Sequence, residues 1–159
     1  MARKKRPQHE PKSFESTGKN FTNPATGHIQ TESYATIYES MLMNPMFQNL
    51  LPRQQVLYLL CKAQYYGKRK PNRDYPDVEE FKDDACFYMN KATVQRYNLY
   101  AQSTKGRLYE DMEALIAHGF VDRVMSGKAT HEKTVYKLSD RWWTDVPDVP
   151  IRKRTRTKG

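Results

Sequence analysis

The chain has 159 residues, a formal net charge of +9, and is 38% hydrophobic and 12% aromatic. That is the length of one domain with tails, and the aromatic content is too high for a wholly disordered chain. No run of about 18 apolar residues occurs, so no membrane span is expected, and the basic start MARKKRPQHEPK lacks the apolar segment of a secretory signal.

Cys61 and Cys86 make no disulfide framework, which points to a reducing cytoplasm. The charge is concentrated at the ends. Residues 1–33 hold six Lys/Arg against three Asp/Glu, and residues 147–159 hold five against one, whereas 34–146 hold sixteen against fourteen. Basic ends on a near-neutral middle suit a protein that grips a polyanion, and solubility is the bland alternative.

Residues 1–33 show no apolar period, and Pro7, Pro11, Gly18, Pro24 and Gly27 interrupt them, so a flexible basic arm is expected. From residue 34 a domain is expected to run to 146. Its first segment, 34–50, is rich in Tyr, Met, Phe and Leu and reads as one or two short helices broken near Pro45. It either wraps its own domain, the preferred reading, or forms a homodimer contact through Tyr34, Tyr38, Met41, Leu42, Met43, Met46 and Phe47.

Helix 1 is expected over 52–66, with Pro52 at the first position and Gly67 at the stop. Val56, Leu57, Leu59, Leu60 and Ala63 share its predicted apolar face, Tyr58 lies on the other side, and Cys61 sits at the edge as a packed thiol. Residues 68–85 read as a loop, basic then acidic, and Glu79, Glu80, Asp83 and Asp84 as a solvated acidic surface. A short strand at 86–90 leads to Asn90, which can cap helix 2 over 91–97. A third helix is expected over 103–118, buried along Leu108, Met112, Leu115 and Ile116, with Gly119 as a left-handed cap. Strand-like alternation at 120–125 and 135–142 about a polar loop gives a hairpin over 120–142. Trp142 and Trp143 close the domain, one of them packed under the sheet, and 147–159 is a basic tail.

The order helix, short strand, helix, turn, helix, strand, polar loop, strand resembles the winged helix-turn-helix fold. The stretch FYMNKATVQRYNLYAQSTKGRLYEDMEALIAHGFVDRV is similar to the winged-helix domains of replication-initiation and accessory proteins from Gram-positive plasmids, conjugative elements and phages. Leu108, Tyr109, Leu115, Ile116, Gly119 and Phe120 carry that pattern. The resemblance covers residues 50–142 and specifies fold better than function. It implies a mainly α chain with a small antiparallel β-hairpin (α+β), disordered basic tails, and binding to double-stranded DNA by a cytoplasmic bacterial protein, with replication or transfer proteins as further partners.

In such a fold the beginning of the third helix enters the groove. Ser103, Thr104, Lys105, Gly106 and Arg107 are therefore the candidate base-reading residues, small, hydroxylated or basic. Glu110, Asp111 and Glu113 follow them and oppose docking unless they pair with neighbours or face solvent. Arg96 at the end of helix 2, and Lys128, His131 and Lys133 on the wing loop, are candidate phosphate contacts, with a solvated surface as the alternative. The arm residues Arg3, Lys4, Lys5 and Arg6 and the tail residues Arg152, Lys153, Arg154 and Arg156 would hold the backbone and make affinity salt-dependent.

Enzymatic activity is not expected. The four histidines, at 9, 28, 118 and 131, form no His-x-His site, GKRK at 67–70 is not a phosphate loop, and no Cys-x-x-Cys pair occurs, so no metal or cofactor is implied. Three functions remain open. The first is an origin-binding replication or transfer factor, the second a transcriptional regulator of the same fold, and the third a protein-interaction adaptor without DNA readout.

Overall fold

A computed structural model describes residues 19–22, 24–32, 35–64, 71–82, 86–101, 106–127 and 133–152. These form a mixed α+β structure with a three-stranded antiparallel sheet. No helix among them is long and apolar enough to cross a membrane.

The expectation of an arm without regular structure is corrected over part of its length. Strands β1 (Lys19–Thr22) and β2 (Ile29–Glu32) pair antiparallel, from Lys19↔Glu32 to Thr22↔Ile29. Gly27, at φ +69°, lies in the connection, where a residue with a Cβ would be strained. Backbone hydrogen bonds hold such a ladder with no apolar alternation to announce it. The remaining arm residues, including Arg3, Lys4, Lys5 and Arg6, lie outside the described residues.

Helices α1 (Glu39–Leu42) and α2 (Pro45–Asn49) follow. Asn44 caps α2 by accepting the Met46 N–H at 2.8 Å, and Pro45 takes the first helical position, so the break precedes the proline. Met41, Met46, Phe47 and Leu50 are buried in the main core. Three of the side chains considered for a homodimer therefore pack inside their own domain.

Helix α3 (Pro52–Gln64) starts with half of a capping box, the Gln54 side chain accepting the Leu51 N–H at 2.9 Å. Its buried positions are Gln54, Leu57, Tyr58, Cys61 and Lys62, a regular i, i+3, i+4, i+7, i+8 stripe. The face expected from Val56, Leu59, Leu60 and Ala63 is thus rotated, and Val56 is 44% exposed. Amphipathic side chains cause the shift. The Tyr58 ring packs 4.9 Å from Phe120 and 6.4 Å from Phe47, centroid to centroid. Lys62 buries its stem, donates from Nζ to the Thr36 carbonyl at 2.6 Å, and lies about 6 Å from the Tyr38 and Tyr58 rings. Burial lowers its pKa to about 8.

The expected loop 68–85 contains helix α4 (Pro71–Asp74) and a 3-10 turn over Glu79–Lys82. Buried Phe81 anchors it beside Tyr75, Cys86, Tyr88 and Val135 in a second, smaller cluster. Strand β3 (Cys86–Tyr88) is buried throughout, and Asn90 caps α5 (Lys91–Arg96) by accepting the Thr93 N–H at 2.9 Å.

Helix α6 (Arg107–Ala117) buries Leu108, Asp111, Met112 and Leu115. Its end is a Schellman arrangement. Phe120 N–H donates to Leu115 O and Gly119 N–H to Ile116 O, each at 3.0 Å. Gly119 has φ +79°, and a Cβ there would meet Trp142 N at 2.7 Å, so both backbone shape and space require glycine.

The sheet is completed by β4 (Val121–Met125) and β5 (Val135–Leu138), with order β3–β5–β4 and β5 in the centre. The expected hairpin is therefore two strands of a three-stranded sheet. The pairing Phe87↔Tyr136 ties β3 to it across 49 positions of sequence. Helix α7 (Arg141–Thr144) brings Trp142 under the core, stacked on Phe120 at 5.4 Å and 17°, while Trp143 is half exposed.

Candidate nucleic-acid interface

Helix α6 is fixed from inside by a carboxylate. Asp111 is fully buried and accepts three hydrogen bonds, from Arg53 Nε, Gln54 Nε2 and Tyr100 Oη, each 2.8 Å long. Burial alone would raise its pKa. The bonds from Arg53, Gln54 and Tyr100 outweigh that and hold the carboxyl below its usual range. Burial and then the Asp111 hydrogen bond push the Tyr100 hydroxyl well above its usual value, and the Asp111 hydrogen bond raises Arg53. This network locks α6 to the start of α3 and to the turn after α5, and it removes one carboxylate from the helix surface.

The second carboxylate is also engaged. Glu113 pairs with Arg123 of β4, the two side chains 58% and 37% exposed. Glu110 stays exposed on the helix surface. Around these lies a face that the sequence reading did not assemble. Tyr109 is 49% exposed, and the Lys91 ammonium at the start of α5 sits 5.6 Å from its ring centre. Tyr136 of β5 is the next group. Burial raises its pKa, the nearby Arg123 charge opposes the rise, and Tyr109 adds to it. Lys91, Tyr109, Glu113 and Arg123 thus border one exposed face built by α5, α6 and β4, while Arg107, about 160° round the helix from Tyr109, is exposed separately at the start of α6.

The α6 face has one cation–aromatic contact suited to nucleic acid, Lys91 over Tyr109. Lys91 and Arg107 can meet phosphate, and an exposed tyrosine backed by a cation can lie against sugar or base. Tyr109 belonged to the sequence pattern read as fold-specifying, and only its burial separates it from a core residue. Lys91 and Arg123 carried no local signal. Each gains its place from a contact between elements that are separate in sequence.

The expected site residues divide as follows. Gly106 and Arg107 are exposed at the start of α6, and a Cβ on Gly106 would meet nothing within 4 Å. Ser103, Thr104 and Lys105 lie outside the described residues, and the helix expected from 103 is described from Arg107. Arg96 ends α5, and its side chain lies outside the described residues. Lys128 and His131 of the wing loop lie outside them too. Lys133 of the wing loop is described, and its side chain is 46% exposed. Its ammonium is 3.5 Å from Asp74 Oδ2 and 4.9 Å from the Tyr88 ring centre, so it leans back on the sheet.

Arg152 is exposed at the root of the tail, whereas Lys153, Arg154 and Arg156 lie outside the described residues. That root is fixed by buried Asn49. Its Oδ1 accepts the Arg152 N–H at 2.7 Å, and its Nδ2 donates to Pro150 O at 3.0 Å and meets His118 Nε2 at 2.9 Å. His118 Nδ1 lies 2.7 Å from Ala114 O, a pure acceptor, so Nδ1 carries the proton and Nε2 accepts from Asn49. The tail therefore leaves from the C-terminal end of α6, away from Arg107.

Among the described residues, no group of three or more His, Cys, Asp or Glu is placed to hold a metal ion. Glu79 pairs with Lys82, and Asp83 and Asp84 lie outside the described residues. Cys61 is fully buried, 3.9 Å from Met112 Sδ, and burial pushes its thiol pKa well up, which suits a packing role. No protein-family model, no curated protein and no solved structure matches the chain.

Proposed function

We propose that this chain binds double-stranded DNA through the outer face of α6, as a winged helix-turn-helix factor assisting replication initiation or DNA transfer of a mobile element in a bacterial cytoplasm. One observation carries the reading. Two of the three carboxylates that argued against groove docking are accounted for, Asp111 inside the core and Glu113 against Arg123, which leaves Lys91 and Tyr109 presented together and Arg107 exposed at the start of the helix. The sheet order supports it as well. By pairing with β5, β3 ties α5 to the β4–β5 hairpin, so that α5, α6 and the hairpin make one rigid mount. A rigid mount holds a groove-docked helix to register.

Selection of the full chain against a random duplex library tests the proposal. A recovered motif, with affinity falling steeply between about 50 and 200 mM salt, is the expected result. Equally weak binding to every duplex at both salt concentrations would favour the adaptor function instead.

A further inference from the structure

The Glu113–Arg123 pair stands on the face that the proposed function gives to the duplex, and the inference here rests on that reading. Glu113 points outward from the middle of α6. Arg123 leaves β4 at the register irregularity between Arg123 and Met125. A bulge of this kind re-aims the side chain beside it. Both partners keep substantial exposure, 58% and 37%. An exposed ion pair is weakly stabilising, so exchanging one of its partners costs little.

The geometry points to Glu113 as an internal stand-in for a DNA phosphate. In the free protein its carboxylate occupies the Arg123 guanidinium. On docking, a backbone phosphate takes that place, since guanidinium makes the same charge-assisted hydrogen bonds to either anion. The displaced carboxylate then faces the duplex. It repels phosphate wherever the fit is imperfect and is accepted where a cytosine amino group meets it. Glu113 therefore lowers affinity for arbitrary duplex more than for the cognate site, a repulsive element that sharpens discrimination.

Asp111 does not share this role, because its oxygens are filled by Arg53, Gln54 and Tyr100 inside the core. Nor does Asp122, the neighbour of Arg123 in β4, because its Oδ1 is bound by Arg141 at 2.5 and 3.0 Å. Glu113 is thus the α6 carboxylate whose partner also lies on the proposed docking face.

The test is a comparison of wild type, Glu113→Gln, Arg123→Gln and the double variant, each as the full chain, on random-sequence duplex across a salt series. Glu113→Gln should bind random duplex about 2- to 5-fold tighter, the scale of an exposed ion pair. Its plot of log affinity against log salt should steepen by up to about 0.9, because the carboxylate that docking frees in wild type takes up a cation and the amide does not. Its melting temperature should match wild type, and the gain should vanish in the Arg123→Gln background.

An unchanged affinity in Glu113→Gln overturns the inference while leaving duplex binding intact. An equal gain with and without Arg123 also overturns it, because the effect is then general repulsion and not exchange. A lowered melting temperature without a gain makes the pair a stability element and overturns it too. Wild type that fails to bind any duplex at low salt removes the proposed function and this inference together.

Discussion

Asp111 and Glu113 stand two positions apart on α6, each paired with an arginine from another element, and they do different work. The Asp111 side chain is fully buried and takes three hydrogen bonds, whereas the Glu113 side chain is 58% exposed and its partner Arg123 37% exposed. A buried carboxylate whose oxygens are filled is part of the scaffold, and breaking it strands charged and polar partners. An exposed one trades its partner for solvent or another anion at little cost. The charge of a helix therefore says little about what it can touch until each carboxylate is assigned to the inside or the outside.

The largest expected effect breaks the inner half of that contrast. Asp111→Ala should lower stability by about 3–5 kcal/mol, because it leaves Arg53, Gln54 and Tyr100 without their acceptor. Denaturant unfolding measures it, and a loss under about 1 kcal/mol would mean that the network is not what fixes α6. The pH dependence follows in sign. The Asp111 pKa is lower in the folded than in the unfolded state. Its stabilisation is then full above the unfolded carboxylate range and lost as pH falls through the folded value. Asp111→Asn should lack that acid-sensitive component of the unfolding midpoint.

Gly119→Ala comes next, at about 1–3 kcal/mol, since a Cβ would meet Trp142 N at 2.7 Å on a backbone at φ +79°. A variant as stable as wild type would show that the turn between α6 and β4 can relax, and with it the Glu113–Arg123 geometry. Lys62 gives a smaller effect of the same pH sense, in a more alkaline window. Burial depresses its pKa from 10.5 to about 8. The unfolded chain then holds more protons between those values, and stability should rise with pH across that window. Lys62→Met should flatten the rise, and an unchanged profile would contradict the burial. The smallest stability effect is on the outer half of the contrast. Glu113→Gln should change unfolding free energy by less than about 1 kcal/mol.

Much of α6 was legible in the sequence because its determinants are local. Leu108, Met112 and Leu115 recur at helical spacing, and the Gly119 cap is set by the turn it closes. Helix α3 was harder, because Val56, Leu59 and Tyr58 offer apolar surface in several directions. Packing of Tyr58 against Phe120 and the buried stem of Lys62 chose the face. Long-range pairings were not legible. Asp111 meets Arg53 and Gln54 across nearly sixty positions, and β3 meets β5 across a similar span. The candidate face fails for the same reason. Lys91, Tyr109 and Arg123 gain meaning only when α5, α6 and β4 are brought together, whereas a search for basic runs leads to the ends of the chain.

The central claim is that the outer face of α6 meets the duplex, and the most direct measurement replaces its cationic and aromatic groups without touching the core. Lys91→Ala, Arg107→Ala and Tyr109→Ala combined in one full-length chain should leave the melting transition cooperative. The triple variant should lose about 10-fold or more in duplex affinity and show a salt slope shallower by about 1 to 2, the loss of two phosphate contacts. A triple variant that binds duplex with wild-type affinity and wild-type salt slope would contradict the account.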